Sequence, residues 1–283
     1  MIKRMITLLL FVSMALIIPA SVSAGTFTVE VSPKNLYQGD AFLVTVTGEE
    51  FSGPPSGSFA KQDLVFGECG DGLYCAVGAV DITTKPGRHS MRISAGKREK
   101  TAVFSVKGAH FPEIRLSLPE DKVSLSPEDL ERVERENGRL QRVFGTVTDR
   151  LWKGSFMVPL KNTVSAGFGT KRIMNKKMVS VHRGVDIRGK AGERIKASNN
   201  GRIVLAEELF FGGNTIIIDH GQGLYTIYMH LSEFNRGLKD LISKGDVIGY
   251  VGSTGRSTGP HLHFGVKVNT VSVNPFSLTR LPL

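Results

Sequence analysis

Cysteine is scarce in this chain: 283 residues contain two, Cys69 and Cys75. None follows the small residues Val22-Ser23-Ala24, which leaves a lipid anchor at that point unsupported. No histidine or third cysteine lies near the pair, which argues against a cysteine metal site. Six positions apart across a Gly-Asp-Gly turn, the two could bridge in an oxidising compartment or remain half-buried thiols. The apolar run Met5 to Ile18 is too short to span a bilayer comfortably. Behind the basic start Met1-Ile2-Lys3-Arg4 it reads as a secretory signal peptide, residues 1–24, cleaved near Ala24. Lysine is missing from the tip of the hairpin-like "KGDVIGYVGSTG", where Ser253-Thr254-Gly255 stands instead. That excludes a lipoyl-carrier function for a segment that otherwise resembles one.

Acidic residues are few in the second half. Residues 151–283 carry 18 Lys and Arg against 8 Asp and Glu, a balance of +10, whereas residues 25–150 carry 16 against 18. The basic half is therefore the one expected to meet an anionic partner. A secreted chain rarely encounters nucleic acid, so a cell-wall polymer bearing carboxylates fits better. The expected location is the periplasm or the cell exterior, with membrane contact only through the transient leader.

The length suits two domains. Residues 25–107 show short alternating segments about ten residues apart, such as "TFTVEVS", "AFLVTVTG" and "GRHSMRISAG", which predict an immunoglobulin-like β-sandwich. Residues 108–150 read as a connector with Pro112, Pro119 and Pro127. Ser126-Pro127-Glu128-Asp129 has the form of a helix start, and a helix is expected over 127–143. Leu130, Val133 and Leu140 would share one side, with Glu128–Arg132 and Glu131–Arg135 pairs on a solvated face. Residues 151–283 return to strands joined by glycine-rich turns, so the fold class is mainly β throughout.

Five of the seven histidines fall between 182 and 263. If "HLHFGVKV" is a strand, His261 and His263 point one way while Leu262, Phe264, Val266 and Val268 point to the core. Two imidazoles on one open face suit a single metal ion. "HRGVD" offers His182 and Asp186, with Gly184 between them to let the backbone turn. "TIYMHL" offers His230, expected on the face of Thr226 and Tyr228. Nitrogen and oxygen donors of this kind favour Zn²⁺ over Mg²⁺ or Ca²⁺, and catalytic zinc keeps one position open. His220 in "IIIDHG" would share a face with Ile216 and Ile218 and is expected to be structural, and His89 a surface strand residue.

Residues 156–275 resemble the LytM/lysostaphin-type zinc endopeptidases of bacterial cell walls, through "SVHRGVDI", "NTIIIDHGQGLYTIYMHL" and "GSTGRSTGPHLHFGV" in that order. The resemblance implies that His182, Asp186 and His263 hold one Zn²⁺ and that His230 and His261 are the catalytic histidines. It implies an endopeptidase acting on cross-links or stem peptides of peptidoglycan. The alternative is a non-catalytic activator or wall-binding protein that serves an amidase; such relatives typically lack ligands that this chain retains. Two departures stand out. Lys176 follows Asn175 where the family often has glycine, and Phe210-Phe211-Gly212-Gly213 brings apolar bulk near the cleft.

Overall fold

A computed structural model describes residues 26–48, 51, 53–116, 125–174 and 178–283. The signal-peptide reading of residues 1–24 and the Asn175–Lys176 departure fall outside the described residues. In chain order the first half holds β1 Phe27–Ser32, β2 Asn35–Tyr37, β3 Ala41–Gly48, β4 Ser56–Phe59, β5 Gln62–Asp63, β6 Gly67–Gly70, β7 Leu73–Ala79, β8 Gly87–Ala95 and β9 Arg98–Lys107. They form a four-stranded sheet, β1-β3-β7-β6, and a five-stranded sheet, β2-β9-β8-β4-β5. Phe42, Val44 and Val46 of β3 meet Met91, Ile93 and Phe104 of the other sheet in one core. Cys69 and Cys75 are joined by a disulfide.

β3 and β7 do not alternate apolar with polar, because both of their faces are covered. Ala41 and Leu43 of β3, with Cys75, Val77 and Ala79 of β7, turn away from the sandwich core and join the core of the second half. A strand buried on both sides needs apolar residues at every position. The backbone N–H of Ala41 donates to Ser277 Oγ at 2.8 Å, and Gln222 Nε2 donates to the carbonyls of Val65 and Cys75 at 2.9 and 3.1 Å. The two halves thus share one apolar core cluster.

The expected connector contains a strand, β10 Glu113–Leu116, and a helix, α1 Pro127–Phe144. Ser126 caps the helix by accepting from the Asp129 N–H. Its charged side differs from expectation: Glu131–Arg135 is present, but Arg132 pairs with Glu136, not Glu128. Glu136 is buried, because its carboxylate also accepts the Phe210 N–H at 2.9 Å, and Arg139 reaches Glu207 at 2.9 Å. The supposed solvated face is in part a docking face.

The remaining elements are β11 Val164–Ala166, β12 Lys171–Met174, β13 Met178–Val181, β14 Gly184–Arg188, β15 Arg194–Lys196, β16 Gly201–Leu209, β17 Gly213–Asp219, β18 Leu224–Phe234, β19 Leu241–Ile242, β20 Val247–Val251, β21 His261–Val268, β22 Val271–Val273 and α2 Pro275–Thr279. Their main sheet runs β11-β14-β21-β18-β17-β16-β19. β10 pairs in parallel with β12, which pairs with β13. One face of the main sheet, with Val185, Ile187, Ile216, Ile218, Tyr228, Leu262 and Phe264, forms the core. The opposite face is partly covered by α1, whose Phe144 packs with Ile217, Tyr225 and Ile227. Beyond the helix that same face is open, and the histidines lie there.

Candidate metal centre

Antiparallel pairing of β14 with β21 sets Asp186 opposite His263 and Arg188 opposite His261. Because Val185, Ile187, Leu262 and Phe264 face the core, the alternate residues Asp186, Arg188, His261 and His263 share the open face. His182 lies in the turn before β14, where its N–H donates to the Thr170 carbonyl at 2.9 Å. Gly184 acts here by leaving space: a Cβ would stand 2.5 Å from the Phe264 carbonyl oxygen and 2.7 Å from His263 Nε2. That close approach brings the His263 ring beside Asp186.

Three atoms converge. His182 Nε2 is 2.9 Å from Asp186 Oδ1 and 3.0 Å from His263 Nδ1, which is itself 2.9 Å from Asp186 Oδ1. His182 Nδ1 donates to the Gly167 carbonyl at 2.9 Å, so in the neutral ring Nε2 carries the lone pair. Three electron-rich atoms at such distances repel unless a proton or cation lies between them. Around a tetrahedral zinc, ligands at about 2.0–2.1 Å stand roughly 3.4 Å apart, so an opening of a few tenths of an ångström fits the ion. The donor set and its burial therefore suit Zn²⁺.

Asp186 uses its other oxygen as well: Arg172 NH2 donates to Oδ2 at 3.0 Å. Burial pushes the Asp186 carboxyl up, but the His182 and His263 contacts outweigh it and hold the group well below the usual carboxylate range. Burial lowers His263, with the Asp186 contact opposing. The Arg172 contact had no local signal in the sequence, since it joins side chains of two strands, β12 and β14, that do not pair with each other.

His230 reaches the same face by an irregularity. Thr226 and Tyr228 lie on the core side, contrary to the expectation that His230 shares their face. Between the pairs Asn214–Leu231 and Ile216–Tyr228, Met229 and His230 together oppose Thr215 alone. This bulge, with His230 at φ +65°, turns the imidazole over to the open side. Its N–H donates to the Gly212 carbonyl and its Nδ1 to the Thr254 carbonyl, each at 2.8 Å. The Phe210–Gly213 segment and Ser253-Thr254-Gly255 thus hold His230 in place. Glycine is required where they cross, because a Cβ on Gly213 would lie 2.3 Å from Thr254.

The His230 ring centroid is 4.7 Å from that of His261 and 6.2 Å from that of His263. His261 Nδ1 donates to the Gly259 carbonyl at 2.8 Å, and its Nε2 lies 3.8 Å from Asp186 Oδ1. Each of these two imidazoles spends one nitrogen on a backbone carbonyl, and among the described residues Nε2 of each makes no hydrogen bond. Burial lowers His230 to about 4, with the Thr254 carbonyl opposing the shift. His220 is elsewhere: fully buried, with Nδ1 donating to the Asn200 carbonyl at 2.6 Å and Nε2 2.7 Å from Thr226 Oγ1. Both its nitrogens are satisfied, and burial lowers it to about 4.

Comparison with known proteins points the same way. The sequence profile described as "Peptidase family M23" matches residues 180–275. Over 128 residues the chain is 39% identical to a DD-carboxypeptidase/endopeptidase of Neisseria meningitidis, covering 44% of this chain and 30% of that protein. Over 95 residues it is 42% identical to a glycyl-glycine endopeptidase of Staphylococcus capitis, covering 33% of this chain and 26% of that one. The chain thus spans about a third or less of the length of these curated relatives. A crystal structure of an M23-type protein from Pseudomonas aeruginosa superposes with a TM-score of 0.66 at 28% identity, covering 84% of this chain and 92% of that one.

Proposed function

We infer that residues 180–275, which match the profile of peptidase family M23, form a LytM-type peptidase domain, and that the chain is a zinc-dependent endopeptidase hydrolysing peptide bonds of peptidoglycan. The observation that carries this reading is the meeting of His182 Nε2, Asp186 Oδ1 and His263 Nδ1 within 3.0 Å of one another, beside two imidazoles that keep a nitrogen free. His182, Asp186 and His263 are the proposed ligands of one ion; His230 and His261 are the proposed catalytic pair. When bound, zinc supplies Lewis-acid polarisation of a substrate carbonyl and makes water a better nucleophile near neutral pH.

The chain's own groups do the rest. Gly167 fixes His182 in the tautomer that presents Nε2, and Arg172 holds the Asp186 oxygen that faces away from the ligand cluster. Thr254 and Gly259 occupy Nδ1 of His230 and His261 and leave Nε2 of each to take a proton from water or give one to the leaving amine. Their burial and backbone contacts reduce the freedom lost when substrate binds. The protein works outside the cytoplasm in this reading, supported by the Cys69–Cys75 disulfide and the N-terminal sequence pattern. The sandwich of residues 25–107 and the connector 108–150 carry a peptidase domain over 151–283.

The test is hydrolysis of purified peptidoglycan with zinc present. Wild type is expected to release soluble peptide fragments and His263→Ala to release none. Equal release by both would remove the peptidase reading and leave the wall-binding alternative.

A further inference from the structure

Two cavities meet at Arg188. One, of about 550 Å³, contains Asp186 and His261; the other, of about 1040 Å³, contains Lys161, Lys190 and Glu193; Arg188 and Gly189 line both. Arg188 thus borders both the depression beside Asp186 and His261 and a larger, shallow one lined by Lys161 and Lys190. Arg188 is exposed and, as the alternate residue to Asp186 on β14, sits on the open face opposite His261.

The charges around the two depressions are unbalanced. Glu193 is occupied by neutral donors, accepting from Asn162 Nδ2 at 2.9 Å and from the Lys190 backbone N–H at 3.0 Å. Asp186 is committed to the histidines and Arg172. Among the described residues the side-chain nitrogens of Lys161, Arg188 and Lys190 make no hydrogen bond or ion pair, and each of the three residues is exposed. Three such cations border the two depressions, and Arg188 is the one that also borders the depression holding Asp186 and His261.

A strand advances about 3.3 Å per residue, so Arg188 lies about 7 Å along β14 from Asp186, or two residues of an extended peptide. Resting on the peptidase reading, we infer that Arg188, backed by Lys161 and Lys190, selects substrates with a free carboxylate about two residues from the bond cut. A guanidinium matches a carboxylate with two parallel hydrogen bonds, which an amide cannot reproduce. Stem peptides of peptidoglycan carry such carboxylates, whereas an oligoglycine bridge is neutral along its length. The substrate class is thus the acidic stem peptide, not the glycine bridge.

The experiment uses zinc-loaded full-length protein and one stem peptide without a cross-link, prepared with free and with amidated side-chain carboxylates. Wild type is expected to bind the free form about tenfold more tightly, an advantage that shrinks as salt is raised. Arg188→Gln is expected to bring the two affinities together, and Arg188→Lys to keep part of the difference. On the corresponding cross-linked substrates the preference should appear in KM more than in kcat. Equal binding of both forms by wild type, or an undiminished preference in Arg188→Gln, would overturn the inference. Because binding is read without hydrolysis, a preference that depends on Arg188 in a protein that cuts neither substrate would keep the carboxylate recognition at Arg188 and remove the peptidase reading, with its placement of the cut bond.

Discussion

The two faces of the main sheet carry buried histidines with opposite fates. On the core face His220 has both ring nitrogens occupied, among Ile216, Ile218 and Tyr228. On the other face His230 has one nitrogen tied to Thr254 and the other free, beside His261 and His263. Burial lowers both to about 4, so depressed basicity alone does not mark a reactive group. What separates them is the unspent lone pair and the neighbours it faces.

The largest expected effect lies on the open face. Asp186→Ala removes the oxygen shared by His182 and His263, and should lower kcat/KM on peptidoglycan by on the order of a thousandfold while releasing zinc. Activity assays with metal analysis read both. Ile218→Ala strikes the core face instead, deleting a fully buried side chain, and should cost about 2–5 kcal/mol in denaturant unfolding. Zinc stoichiometry should survive that change. If it does not, the two faces are not separable.

Acid sharpens the contrast further. The His220 pKa is depressed in the folded chain, so unfolding takes up a proton between the unfolded value near 6.5 and about 4. The stability linked to it is complete above pH 6.5 and is lost as pH falls toward 4, roughly 3 kcal/mol in all. Unfolding measured across that range should show the loss, and His220→Gln should make it shallower, the buried His230 contributing over the same range. The smallest effect is expected at the helix that roofs part of the open face. Glu136→Gln weakens the charge-assisted bond to the Phe210 N–H and the Arg132 pair, and should destabilise the chain by about 1–2 kcal/mol.

Much of the open face was legible in the sequence. Alternation in "HLHFGVKV" placed His261 and His263 together because β21 is regular and one side of it is buried. The same rule put His220 among Ile216 and Ile218. It failed at His230, where a bulge and a left-handed backbone reverse the facing, and no residue type at that position announces the change. β10 was missed because an edge strand is made by backbone pairing with β12, to which its own side chains contribute no pattern. Arg172 and Glu136 were missed for a related reason: their partners are 14 and 74 residues away in the chain. The apolar runs of β3 and β7 did carry a signal, since a sandwich strand with no polar face implies a second covered side.

Zinc titration of metal-stripped protein tests the central claim most directly. Wild type is predicted to take up one ion per chain; His182→Ala, Asp186→Ala and His263→Ala should each abolish tight uptake, and His230→Ala and His261→Ala should keep it. A wild-type chain that takes up no zinc, or five variants that all weaken uptake alike, would contradict the division of these side chains into ligands and proton carriers.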